Sequence, residues 1–112
     1  MSGEVIELLN GLDVLENDIF KNMLEHEDEI IRGIELVRYI VKKINLEQVD
    51  NEFKKQLLFN IRKYQKNLLE KNIVMDEYMM YGIDKSLLMV DIMIGSNNSY
   101  SDKKIKIKKH NK

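Results

Sequence analysis

The stretch Ile73–Ile94, IVMDEYMMYGIDKSLLMVDIMI, constrains this chain more than any other. Fifteen of its 22 residues are apolar or tyrosine, and five of those are methionine. Wound at about 100° per residue, these side chains cover nearly the whole circumference of a helix. One acidic seam remains, formed by Glu77, Asp84 and Asp91. A helix that is apolar almost all round needs more than one neighbour to shield it. In the 23 residues before it, Asp50–Asn72, only eight are of that kind, so the demand for cover is local to the end of the chain.

The rest of the composition narrows the fold. Proline is absent and there are five glycines in 112 residues, too few turn signals for a multi-strand domain. Leu, Ile, Met, Lys and Glu are abundant and favour helix. The expectation is an all-α fold in one domain. Asp76, Glu77, Asp84, Lys85 and Asp91 interrupt the apolar stretch, which argues against a membrane span. The start, MSGEVIELL, lacks the basic flank and unbroken apolar run of a signal peptide, and there is no cysteine for a disulfide framework. A cytoplasmic location is expected. Charge is unevenly spread: residues 1–52 are acidic, 53–95 mildly basic, and 96–112 carry six lysines against Asp102. Side by side, the two halves attract, which steers pairing more than it stabilises.

Periodicity predicts two long helices. In the first, Glu4–Ile44, Val5, Leu8, Leu12, Leu15 and Ile19 form a heptad seam. Ile30, Ile34, Val37, Val41 and Ile44 resume it out of phase, so a stutter lies between 19 and 30. Asn10-Gly11 is a candidate break that would free residues 1–11 as a short extra helix, and Gly33 suits close packing. Asn45–Asp50 reads as the turn, with Asn45 capping the first helix, Asp50 the N-cap of the next and Phe53 its first core residue. From there to Ile94 the apolar positions step by 4, 4, 3, an eleven-residue repeat in which Asn72 and Ser86 are the polar members. A core asparagine at 72 would set register by a hydrogen bond. Matched length and a short connection predict a long antiparallel helical hairpin, completed by a partner or by dimerisation. Gly95 stands where such a helix stops. The organisation expected is a hairpin domain over 1–95 and a flexible basic tail over 96–112.

Catalytic chemistry finds no footing. His26 sits among Glu25, Glu27, Asp28 and Glu29, but neither the paired Glu-x-x-His of a di-iron bundle nor HExxH is present. No glycine-rich phosphate loop and no Gly-x-Ser-x-Gly occur. No enzyme activity, metal or cofactor is expected, and no small-molecule substrate. The lysine tail lacks interleaved aromatics beyond Tyr100 and reads as solubilising rather than as a nucleic-acid contact. The methionines, Met75, Met79, Met80, Met89 and Met93, are the informative feature, because methionine adapts to varied partners. A hairpin supplies one covering helix. Something else must cover Val74, Tyr78, Tyr81, Leu88 and Ile92: a third helix cut from 1–11, a second copy, or a client helix.

The second half also resembles a known family. Leu57-Leu58, Asn67-Leu68-Leu69, Asn72, Leu87-Leu88 and Ser99-Tyr100 followed by lysines, set in long antiparallel helices, resemble the FlgN-type flagellar export chaperones. The likeness covers roughly residues 50–104. It implies a cytoplasmic, non-enzymatic chaperone for type III export. Such a chaperone holds the amphipathic terminal helices of hook–filament junction subunits. The partner-binding set expected for a helix-in-groove complex is Met75, Met79, Met80, Ile83, Leu87, Val90 and Ile94, with Tyr78 and Tyr81 on the neighbouring face. The competing expectation is a self-associating bundle of two hairpins without a client.

Overall fold

Each of the two long helices predicted from periodicity is cut once, leaving four among the described residues: α1 (Gly3–Lys21), α2 (Glu27–Lys43), α3 (Asn51–Glu70) and α4 (Glu77–His110). This computed structural model describes residues 3–22 and 25–110, and of residues 97–110 the helical backbone alone. No strand occurs among the described residues, and the all-α expectation holds. The single uninterrupted hairpin does not.

Neither cut uses glycine or proline. The first lies in the stutter, where His26 takes the left-handed conformation at φ 61° immediately before α2. The second falls inside the 4, 4, 3 stripe. Asn72 is left-handed at φ 60°, Ile73 N–H donates to Leu68 O at 2.9 Å and Asn72 N–H to Leu69 O at 2.9 Å. That pair of bonds closes α3 as a Schellman motif, in which asparagine tolerates the left-handed position. So Asn72 is an exposed helix stop, not a core register residue. Four residues on, Asp76 opens α4: its carboxylate accepts from Tyr78 N–H at 2.8 Å and Met79 N–H at 3.3 Å.

Asp50 caps α3 as expected, accepting from Phe53 N–H at 3.0 Å, and Phe53 is fully buried. The residue closing α2 is Ile44 in extended conformation, so Asn45 is not that cap. Asn10-Gly11 lies within α1, so residues 3–11 are continuous with that helix and not a separate one. α4 runs through Gly95 to His110 rather than stopping there. The expected basic tail falls on side chains outside the described residues.

The directions of packing follow from which residues meet. Val5 lines a pocket with Val41 and Ile44, and Asp13 and Glu16 pair with Arg38, so α1 and α2 are antiparallel. His26 stacks on Tyr78 and Gly33 meets Met79 and Ile83, so α2 and α4 run parallel. Their interface is the most extensive among the described residues. It is closed by two glycines. A Cβ on Gly33 would collide with Met79 O and stand 3.0 Å from Ile83 N, and one on Gly82 would collide with Ile30 O and stand 3.3 Å from Gly33 Cα. The backbones themselves touch, as expected for Gly33. The core around this crossing takes Val5, Leu8, Leu12 and Ile19 from α1, and Phe53, Leu57 and Ile61 from the first half of α3. Ser86 is buried in it, and its hydroxyl donates to Gly82 O at 2.8 Å within its own helix.

The α1–α2 seam carries a charged cluster. Arg38 ion-pairs with Asp13 and, at 3.1 Å, with Glu16 Oε2, while Glu16 Oε1 is buried with no hydrogen-bond partner among the described residues. Burial, and then the charge of Glu35, raise the Glu16 carboxyl above the ordinary carboxylate value. The folded chain therefore binds this proton more tightly than the unfolded chain. Stability from this group is present below the ordinary carboxylate value and is lost as pH rises through the raised one. Glu16→Gln is expected to gain on the native chain as pH rises through that window and to lose the advantage below it. Urea midpoints for both proteins, taken at a series of pH values from acid to neutral, measure the difference.

A candidate partner-binding face on the last helix

Asp76 fixes where α4 starts, and the Gly33–Gly82 crossing fixes which side of it is turned inward. Ile83, Ser86, Val90 and Ile94, stepping by 3, 4 and 4, are buried. Met75, Tyr78, Met79, Leu87, Met89 and Met93 are half-buried against that core. On the opposite side Tyr81, Leu88 and Ile92 are 42%, 51% and 64% exposed, with Met80 beside them at 42%. The twelve residues from Tyr81 to Ile92 span about 16 Å of helix. Lys85 Nζ lies 5.4 Å from the Tyr81 ring centroid, so the face carries a cation beside its aromatic group.

The residues expected to bind a partner are thus divided. Ile83, Val90 and Ile94 are enclosed by the chain's own helices and cannot meet a partner without opening the fold. The reason is that α1 and α2 both cover α4, where a hairpin would supply one cover. Met75, Tyr78, Met79 and Leu87 are shared between core and surface, with Tyr78 stacked on His26 at 3.8 Å. Met80 and Tyr81 face outward. Of the side chains said to need other cover, Val74 (81% exposed), Tyr81, Leu88 and Ile92 remain uncovered among the described residues, whereas Tyr78 is half-buried.

Beside this face α1 and α4 leave a groove of about 330 Å³, lined by Leu8, Gly11, Met89, Ile92 and Met93, with Glu7 and Ser96 at its polar edge. Met89 Sδ fills the space a side chain on Gly11 would occupy. Met89, Met93 and Gly11 were not in the expected set. The signal for them was a glycine beside the α1 seam, opposite flexible methionines. Asp91 is drawn to the far side, where its carboxylate pairs with Lys54 of α3 at 2.5 Å.

Among the described residues no three His, Asp or Glu side chains converge as a metal site requires, and no described helix is long and apolar enough to cross a membrane. No protein-family model, curated protein or solved structure matches this chain.

Proposed function

We propose that the chain is a non-enzymatic helix-binding protein whose α4 outer face and adjoining α1–α4 groove receive the apolar stripe of a partner's amphipathic helix. Its role is that of a cytoplasmic export chaperone of the FlgN type, holding the terminal helices of hook–filament junction subunits before assembly. The observation that supports this reading is the line of Tyr81, Leu88 and Ile92, left uncovered among the described residues although α1 and α2 both pack on α4. Their spacing of 7 and 4 matches an incoming helix with anchors at i, i+3, i+4 and i+7. Methionines at the groove edge let the surface re-pack around anchors of different size.

The test is a titration of the full chain with a synthetic terminal helix of a hook–filament junction subunit. Leu88→Asp is expected to weaken binding about thirtyfold, the effect of a central hot-spot residue worth roughly 2 kcal/mol, with helix content and urea midpoint unchanged. Sedimentation of the chain alone separates the second use of the same face. A tight dimer that ignores the added helix, and that Leu88→Asp dissociates, would replace the chaperone reading with self-association.

A further inference from the structure

Charge on this molecule is sorted by helix. α1 carries five carboxylates against one lysine, Lys21, and α3 carries five cations against Glu52 and Glu70. α1 packs on α2 and α4, whereas α3 packs chiefly on α2, so the two charges occupy different flanks. On the basic flank α2 and α3 leave a half-open groove of about 390 Å³. Its apolar surface comes from Leu36, Tyr39, Ile40 and Tyr64, and its cations are Lys43 and Lys63. Lys43 Nζ lies 4.2 Å from the Tyr39 ring centroid, which holds a positive charge at the rim. Two amides, Asn60 and Asn67, complete the lining, and no carboxylate takes part in it.

We infer that this groove docks an acidic amphipathic helix of a partner protein, with apolar anchors seated on Tyr39, Ile40 and Tyr64 and flanking carboxylates meeting Lys43 and Lys63. The lining repeats over two turns on both walls, Leu36 to Lys43 and Asn60 to Asn67, about 10 Å. Anchors at i, i+3, i+4 and i+7 of a helix span the same length. Complementary charge decides the occupant. The chain's own lysine-rich end is repelled by Lys43 and Lys63. Its one strongly acidic helix, α1, is already packed on α2 and α4. The exposed cations Lys55, Arg62 and Lys66 and the 67% exposed Phe59 extend the same character along α3. None of the lining residues belongs to the α4 face, whose neighbouring charges are Glu7, Asp84 and Lys85, so this docking site stands apart from the one proposed above.

The experiment titrates the full chain calorimetrically with two synthetic helical peptides of equal length and identical leucine spacing. One carries glutamate at the remaining positions, the other lysine. The glutamate peptide is expected to bind and the lysine peptide to leave the groove empty. Lys43→Glu together with Lys63→Glu, both at exposed positions, should weaken the glutamate peptide about tenfold and let the lysine peptide bind. Added salt should weaken the native pairing. Leu88→Asp should leave it unchanged, which keeps this result independent of the α4 face. The inference is overturned if both peptides bind alike, if charge reversal changes nothing, or if Leu88→Asp removes the glutamate peptide. It is equally overturned if the two lysines instead mediate binding to anionic vesicles or dimerisation of the chain alone.

Discussion

Gly82→Ala is expected to destabilise the fold by about 2–3 kcal/mol, although alanine is the better helix former by roughly 1 kcal/mol. The new Cβ would meet Ile30 O and the Gly33 backbone. These are main-chain atoms that no rotamer change can move aside, so α2 and α4 must separate. Gly33→Ala should behave alike, since its Cβ meets Met79 O and Ile83 N. Two other glycines give the comparison. At Gly11 the obstacle is the end of Met89, which can swing away, so Gly11→Ala should be near neutral. At Gly95 a Cβ meets open space within a helix, so Gly95→Ala should gain up to about 1 kcal/mol. Urea unfolding followed by circular dichroism ranks all four. Equal stability of Gly82→Ala and Gly95→Ala would mean that the two backbones do not touch.

Phe53→Ala should cost about 3–5 kcal/mol, the usual range for emptying a large buried site. Phe53 is fully buried at the first turn of α3, with Asp50 holding its backbone N–H. α3 has only two further fully enclosed side chains, Leu57 and Ile61. Losing Phe53 therefore removes much of what docks α3 on α2. Phe59, six residues on and 67% exposed, should tolerate alanine within about 0.5 kcal/mol. Against a total stability of about 5–15 kcal/mol, the first variant should be largely unfolded at a urea concentration where the second is folded. Similar midpoints for the two would show that α3 is not docked as described.

The distinction between these phenylalanines was legible in the chain. Phe53 lies on the 4, 4, 3 stripe with Leu57 and Ile61, and Phe59 lies off it. The same reasoning placed the seams of α1 and α2, the cap at Asp50 and the close packing at Gly33. It failed at Asn72, because the stripe keeps its phase across the break. Phe53–Ile61 and Ile83–Ile94 are both core-facing, and nothing in a periodic count reveals that Tyr64, Leu68 and Asn72, on the stripe between them, are not part of the buried core. The break is made by one asparagine in the left-handed region and one aspartate cap, signals far weaker than glycine or proline. On α4, the residues expected to await a partner were chosen from the stripe itself, and a continuous stripe is what the chain's own core claims first. Of the outward residues, Met80 and Tyr81 were in that set, and Leu88 and Ile92 were the remainder.

Local chemistry alone therefore determined that this chain is helical, which face of each helix is apolar, and that its last helix carries more apolar surface than one neighbour can cover. These follow from spacing along a single chain. Tertiary structure decided that α2 and α4 lie side by side and parallel, that Gly33 meets Gly82, and that two lysines line one groove while Glu7 edges another. Such juxtapositions join residues some fifty positions apart, and a pattern read within one helix turn or one heptad holds no information about which distant turn it will meet.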